Sequence, residues 1–261
     1  MPPDGGGKER TMNTMSQEGK ALVYRWDGEV LSVMPWGRNS FRVRSTVLGE
    51  VEDTDYALLA PEETEGQIEV GEYVSRITNG KITAELTVDS WSHSCDIAFY
   101  NQKGELLLKE AGRGGALDKK NRFFKPIIGG DYRLTVTFAS NPKEKLYGMG
   151  QYQQDILNVK NCNLELAHRN SQASVPFVLS DLGYGFLWHN PAIGRVSFAS
   201  NTTEWYAEST KQMDYWITAG DTPDEIEQAY GRAVGTAPEM PEYGLGFWQC
   251  KLRYWNQEEL L

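Results

Sequence analysis

The chain has 261 residues, of which 40% are hydrophobic, and a formal net charge of −10. This length allows one large domain or two of ordinary size. The acid excess argues against a nucleic-acid partner, because phosphates require clustered Lys and Arg side chains, and it favours a neutral polar ligand. Eight Trp and thirteen Tyr suit the core of a β-rich protein, and they also suit a sugar-binding surface.

Cofactor and metal chemistry find no support in the residue spacing. The three cysteines are far apart and form no CxxC pair, and the three histidines lack the spacing of metal ligands. No glycine motif of the kind that binds phosphate is present. The sequence therefore predicts no disulfide framework, no metal site and no cofactor.

The first residues resemble no targeting signal. Residues 1–19 are rich in Gly, Met and polar residues, and we expect them to form a disordered leader. They contain no apolar segment typical of a signal peptide, and no apolar run in the chain approaches membrane-spanning length. We therefore predict a cytoplasmic protein with no membrane partner.

Strand patterns fill the chain from about residue 21 to residue 217. Asp27-Gly28 and Asn79-Gly80 each separate two strand-like segments, which is typical of type I′ hairpins. The predicted strands are 21–26, 29–34, 41–47, 73–78, 81–88, 95–101, 105–109, 131–138, 174–180, 184–188, 194–198, 204–208 and 212–218. Ten or more short strands with turns between them predict a mainly β fold, a large antiparallel β-sandwich.

One helix is expected after the strands. Thr222-Pro-Asp-Glu225 has the form of a capping box with Pro at the first helical position. Apolar residues then recur at helical spacing as far as Val234, and Gly235 suits the C′ position. Prolines 238 and 241 follow, so we place the sandwich domain, including this short helix, at residues 20–240.

The last residues predict the beginning of a second domain. Residues 244–255 have the composition of a short buried strand followed by a loop. Asn256 suits a helix N-cap, with Glu259 at N3 able to reach back to it. One helical turn is too short to be stable alone. We therefore expect residues 241–261 to start a larger α/β domain whose remainder lies beyond Leu261.

Acid/base chemistry cannot be assigned from spacing. Glu204, Glu208 and Asp214 lie on or beside predicted strands, where solvated charges at a sheet edge are the usual explanation. No GxSxG nucleophile motif is present. Spacing alone therefore gives no reason to identify an enzyme.

Four motifs follow one another along the chain. Residues 146–153 read LYGMGQYQ, and residues 175–190 combine VPFVLS with GYGFLWHN. Residues 215–223 read YWITAGDTP, and residues 241–254 contain GLGFWQC followed by Arg253 and Tyr254. In sequence, order and spacing these segments resemble the front part of glycoside hydrolase family 31, the α-glucosidase and α-xylosidase family. The resemblance covers roughly residues 20–261.

The resemblance implies a galactose-mutarotase-like β-sandwich followed by the first strand of a truncated (β/α)8 barrel. It also implies retaining hydrolysis by two Asp carboxylates on later barrel strands, which we expect beyond Leu261, so no catalytic residue is expected within this chain. The parent protein would hydrolyse α-linked glucosides or xylosides. Gln151 and the GFWQ segment are most similar to the α-xylosidase branch.

Two segments would contact substrate if the resemblance holds. In the family, the loop after the Y-G-x-G turn leans over the barrel mouth, and the end of the first barrel strand lies near the pocket. The expected substrate-binding residues are Tyr152, Gln153, Asp155, Trp248, Arg253 and Tyr254. An ordinary exposed loop and ordinary side-chain packing in a barrel are the competing explanations.

Two other interpretations stay open. A stand-alone carbohydrate-binding β-sandwich would bind sugar without catalysis, and a purely structural sandwich would serve an assembly. The apolar segment after Pro241 argues against a finished binding module, because such a module has no use for a lone apolar strand. The expected partner is an oligosaccharide or α-glycoside substrate, and the full-length protein could form oligomers.

Overall fold

The computed structural model describes residues 14–112, 120–248 and 253–259. Within those ranges, β-strands are followed by one α-helix and two short 3-10 helices. The strands are β1 (Met15–Glu18), β2 (Ala21–Trp26), β3 (Glu29–Pro35), β4 (Ser40–Thr46), β5 (Gln67–Glu69), β6 (Val74–Asn79), β7 (Ile82–Val88), β8 (Cys95–Asn101), β9 (Leu106–Lys109), β10 (Arg122–Pro126), β11 (Tyr132–Ala139), β12 (Leu146–Gln151), β13 (Asn163–Leu166), β14 (Ala173–Ser180), β15 (Tyr184–Trp188), β16 (Gly194–Phe198), β17 (Thr202–Thr210) and β18 (Gln212–Ala219). Helix α1 is Pro223–Val234, and the 3-10 helices are Glu242–Leu245 and Gln257–Glu259.

The strands form three antiparallel sheets. The largest has the order β1-β2-β3-β4-β18-β15-β14-β12, and the others have the orders β10-β11-β17-β16-β13 and β5-β6-β7-β8-β9. In the largest sheet β4 pairs with β18, so the N-terminal strands and the last strand meet at its centre. The prediction of a mainly β, antiparallel sandwich is confirmed.

Aromatic side chains fill the core. One buried cluster contains residues of all three sheets. Phe186 contacts Phe138, Trp205 and Tyr215 with ring centroids 4.8 to 5.6 Å apart. Such contacts add edge-to-face and stacked attraction to the burial of apolar area. Strand β7 supplies this core from one face, since its buried residues alternate with more exposed ones. Strands β4, β15 and β18 are instead buried along their whole length.

Helix α1 begins and ends as the capping pattern predicts. Thr222 Oγ1 accepts a hydrogen bond from Glu225 N at 3.3 Å, and Gly235 has a φ of 92° at the C-terminal end. The Glu225 carboxylate reaches back to Asp221 N at 3.0 Å, one residue earlier than a standard capping box. Ile226 packs the helix onto the largest sheet. No helix within the described ranges is long and apolar enough to cross a membrane.

The sequence patterns did not predict some of the strands. β1 lies inside the predicted leader, because Met15 is fully buried and β1 pairs with β2; residues 1–13 lie outside the described residues. Strands β5, β10 and β13 have three, five and four residues, too few for a clear period, so their pairing partners decide their conformation. Tertiary context overrides weak local β-propensity in such edge segments.

The prediction of a buried strand starting at Gly244 is wrong for the described residues. They form the 3-10 helix Glu242–Leu245, and Phe247 and Trp248 are 92% and 73% exposed. A lone strand has no neighbour to pair with its backbone groups, which explains this difference. The predicted cap at Asn256 is confirmed, since its Oδ1 accepts from Glu259 N at 3.0 Å. Residues 249–252 lie outside the described residues.

Candidate functional site

The Tyr152 loop, residues 152–162, follows a strand that glycines distort. Gly148 and Gly150 have φ values of 110° and 93°, which only glycine adopts readily. The register of β12 against β14 shifts between them, as in a β-bulge. A Cβ on Gly148 would lie 2.7 Å from the Phe177 carbonyl oxygen, too close for any side chain. The glycines of the YGMG motif therefore allow the edge strand to bulge just before the loop.

Tyr152 is held by the sandwich. Its hydroxyl donates to the Glu165 carbonyl oxygen at 2.7 Å and lies 3.0 Å from Ser174 Oγ. Burial raises the pKa of the phenol, although the Ser174 contact opposes this. The hydroxyl is thus already engaged, and only the exposed part of the ring is left for a ligand.

The rest of the Tyr152 loop is exposed. Gln153 and Asp155 present polar side chains to solvent. Ile156 and Leu157, which sequence analysis missed, are 52% and 81% exposed. The sequence signal for these two residues was an apolar pair within a polar loop. Neighbouring apolar side chains on a surface often mark a contact with another part of the protein or with a ligand.

A buried polar cluster fixes the far end of this loop. Lys160 Nζ lies 2.6 Å from Ser140 Oγ and 3.3 Å from Glu144 Oε2. The other oxygen of Glu144 accepts from Ser180 Oγ at 2.6 Å and from Tyr184 Oη at 2.7 Å. Because each of these hydrogen bonds is buried or half-buried, the loop departs from a rigid base.

The C-terminal group, Trp248, Arg253 and Tyr254, lies on the exposed end of the described chain. Trp248 Nε1 donates to the Gly244 carbonyl oxygen at 2.8 Å. The Arg253 guanidinium is exposed and lies 5.8 Å from the ring centroid of Trp255, while Tyr254 is half-buried. Within the described residues, no hydrogen bond, ion pair or ring contact joins Trp248 or Arg253 to the Tyr152 loop.

Asp214 is not the solvated edge charge that sequence analysis expected. It is buried and binds Arg42 through both oxygens, with Nη2–Oδ2 and Nε–Oδ1 distances of 2.7 and 3.1 Å. His189 Nδ1 lies 3.3 Å from Asp214 Oδ2, and Nε2 accepts from the backbone N–H of Ala57 at 3.0 Å. The cluster ties residues 53–58 to the sheet. Glu208 is exposed as expected, but it lies on β17, the central strand of its sheet, and not at a sheet edge.

Buried carboxylates in the described chain serve ion pairs. Glu29 and Glu110 both contact Arg122, and Glu144 contacts Lys160. No group of three or more His, Cys, Asp or Glu residues suited to a metal ion occurs in the part of the chain that the structure describes. These carboxylates have the arrangement of structural salt bridges, in which attraction to a fixed cation opposes the cost of burying the charge.

Replacing Tyr152 by Phe should lower the free energy of unfolding by about 1 kcal/mol, because it removes a hydroxyl with two protein partners. Chemical denaturation with tryptophan fluorescence measures the change. Gln153→Ala in the same loop is the matched control and should leave the stability unchanged, since its side chain is exposed. Equal stability of all three proteins would contradict an anchoring role for the hydroxyl.

Known proteins with similar sequence and structure identify the fold. The chain is 47% identical over 267 residues to an uncharacterised family 31 glucosidase of Pseudescherichia vulneris, covering 96% of this chain and 50% of that protein. A GH31 α-xylosidase from a soil metagenome, in complex with xylose, has a TM-score of 0.87 and 48% identity over 94% of this chain and 38% of that chain. A xylosidase from Aspergillus niger has a TM-score of 0.78 and 27% identity, and the match covers 92% of this chain and 36% of that chain.

These matches cover nearly all of this chain but half or less of each matched protein. The chain spans half the length of the Pseudescherichia vulneris protein and at most 38% of either solved chain. No protein-family model matches it. The sequence identity nevertheless extends over nearly all of this chain and is accompanied by the same fold. The chain therefore belongs to glycoside hydrolase family 31, and it matches the N-terminal portion of that family's members.

Proposed function

We propose that this chain is part of a retaining hydrolase that acts on α-linked xylosides or glucosides, with xylosides favoured. The observation that carries the proposal is the 48% identity over 94% of the chain to a GH31 α-xylosidase in complex with xylose. Identity at this level over a whole domain supports a shared substrate class more strongly than fold alone does. The sugar in that complex gives the chemical class that we assign to the substrate.

The contribution of this chain is the β-sandwich that precedes a catalytic barrel. In this proposal residues 20–240 form a galactose-mutarotase-like domain, and residues 241–261 begin the (β/α)8 barrel. The exposure of Phe247 and Trp248 supports the proposal that residues 241–261 begin a barrel. Two large apolar side chains next to each other in water are stabilised when neighbouring strands cover them.

The chemistry would require carboxylates from outside this chain. Two Asp residues beyond Leu261 would act, one attacking the anomeric carbon and the other protonating the leaving oxygen. The Tyr152 loop would line the leaving-group side of the pocket, with hydrogen bonds from Gln153 and Asp155 and ring contact from Tyr152. The C-terminal group would lie at the end of the first barrel strand.

The decisive experiment compares the chain with the whole reading frame that encodes it. We expect the whole protein to hydrolyse p-nitrophenyl α-xyloside with retention at the anomeric carbon, and the 261-residue chain to show no turnover. Product configuration is read by NMR. Turnover by the purified chain would overturn our placement of the carboxylates, and a whole protein without activity on α-xylosides and α-glucosides would overturn the proposed function.

The alternative is a carbohydrate-binding β-sandwich without catalysis. The acidic, aromatic-rich composition favours it to the extent that such a surface suits neutral sugars. The same experiment separates the two functions. A reading frame without a barrel, encoding a stably folded protein that binds sugar, would favour the binding module.

A further inference from the structure

A cleft of about 710 Å³ opens between the β2–β3 hairpin and the turn that joins β7 to β8. The wall residues used below are Tyr24, Trp26, Asp27, Asp89, Trp91 and Lys120. The volume lies within the range of small-molecule sites. In the largest sheet β2 and β12 are separated by six strand spacings, about 29 Å along the sheet. The cleft is therefore a different surface from the Tyr152 loop.

Trp91 is 91% exposed although it belongs to a turn with fixed geometry. Asp89 Oδ1 accepts from the backbone N–H of Trp91 at 3.0 Å and of Ser92 at 2.7 Å. On the other side of Trp91, the His93 carbonyl oxygen accepts from the Tyr24 hydroxyl at 2.7 Å. The turn is thus fixed on both sides of an indole that stands in water, and a large aromatic surface in that position is typical of a binding site.

Trp26 provides a second aromatic wall. It is half-buried, and its ring lies 4.5 Å from the ring of His93, centroid to centroid. A second hollow, of about 520 Å³, is lined by the same hairpin and shares Trp26, Asp27 and Glu29 with the cleft. Trp26 therefore borders both spaces, and the cleft itself has room for a ligand longer than one sugar ring.

The charges of the cleft argue against an anionic ligand. Asp27 and Lys120 approach to 3.8 Å, and Glu29 and Arg122 form an ion pair at 2.6 Å. Asp89 and Asp96 also line the cleft, so four carboxylates face two cations and the net field is negative. The carboxylate oxygens are hydrogen-bond acceptors, which suits hydroxyl groups. Burial raises the pKa of the Cys95 thiol, although Arg122 opposes this, so the cysteine in the cleft is not a nucleophile at neutral pH.

We propose that this cleft binds a short neutral oligosaccharide. The apolar faces of pyranose rings would stack on Trp91 and Trp26. Sugar hydroxyls would hydrogen-bond to Asp27 and Lys120 at the rim. The inference concerns binding by this chain alone, so it does not depend on the proposed hydrolysis.

Isothermal titration of the 261-residue chain with maltotetraose, isomaltotriose and cellotetraose tests the inference. We expect binding of at least one of them, and quenching of tryptophan fluorescence on saturation. Trp91→Ala should weaken that binding by about tenfold or more, because it removes the exposed stacking face. Its thermal unfolding midpoint should stay unchanged, since the indole packs against little.

Trp255→Ala is the matched control, because it removes another largely exposed indole, one that does not line the cleft. We expect it to bind sugar as the unmodified chain does. The proposal is overturned if none of the three sugars binds, or if Trp91→Ala and Trp255→Ala bind as tightly as the unmodified chain. Loss of binding in both variants would also overturn it, since the effect would not be specific to the cleft.

Discussion

Replacing Arg42 by Met should lower the free energy of unfolding by roughly 3–5 kcal/mol, the cost of removing one partner of a buried ion pair. The Arg42 side chain has no exposed surface, and Asp214 would be left buried without its cation. Arg42 also donates to the Thr54 carbonyl oxygen at 2.7 Å and to Asp55 at 2.9 Å. Urea denaturation followed by circular dichroism measures the loss.

The pair of Arg25 and Glu18 provides a matched control on the same sheet. Its N–O distance is 2.9 Å, but both side chains are about half exposed. Arg25→Met should therefore cost less than about 1 kcal/mol, because solvent screens the pair. Similar losses in Arg42→Met and Arg25→Met would show that burial of the ion pair does not determine its contribution.

Local patterns were enough to predict both hairpins, although the second turn lies one residue later than Asn79-Gly80. Asn79 pairs with Ile82 at the end of β6, so Gly80, with a φ of 59°, is the first residue of the turn. Asp27 and Gly28 both have positive φ, at 48° and 80°, as a type I′ turn requires. The strands on either side of this turn pair directly with each other, so turn and partner lie within fifteen residues of sequence. Helix α1 was predictable for the same reason, because its cap, its first proline and its apolar face are all local signals.

Long-range pairing could not be predicted from local patterns. Asp214 has the sequence context of a strand-edge acid, and only the pairing of β18 with β4 places it beside Arg42, 172 positions away. The bulge in β12 depends likewise on the position of β14. A single sequence gives the period of each strand but not its neighbour, and the neighbour decides which charges are buried.

The candidate site was predictable only through resemblance. Tyr152 and Trp248 carry no spacing signal of their own, and their assignment came from the order of four motifs. The structure adds that the Tyr152 hydroxyl is already hydrogen-bonded to Glu165, which no residue pattern indicates. It also shows Leu157 exposed on the same loop. The contacts of these residues with a barrel involve chain segments that a local pattern does not describe.

Glu110 should make stability depend on pH in an unusual direction. It is fully buried and accepts hydrogen bonds from Arg122 and from the backbone N–H of Ile97. Arg122 also pairs with Glu29, so one guanidinium serves two carboxylates. Burial raises the pKa of Glu110 to about 7; Arg122 opposes this, and the charges of Asp96 and Glu29 add to it.

The direction of this pH dependence follows from the pKa of Glu110 in the folded and unfolded states. A carboxyl group with a higher pKa in the folded state stabilises the protein below its unfolded pKa of 4.5, and this contribution is lost as the pH rises through about 7. The difference between the two pKa values corresponds to roughly 3 kcal/mol. Glu110→Gln cannot ionise, yet it keeps an acceptor for Arg122 and Ile97.

We therefore expect the unmodified chain to lose roughly 3 kcal/mol of stability relative to Glu110→Gln between about pH 4 and about pH 8. Urea denaturation at a series of pH values measures the difference. Glu208→Gln, at an exposed position, should run parallel to the unmodified chain, because water solvates that carboxylate in both states. If the free energy of unfolding of Glu110→Gln instead changes with pH as that of the unmodified chain does, the inference is contradicted. Glu110 would then be ionised in the folded state at acidic pH, because its attraction to Arg122 outweighs the cost of burial.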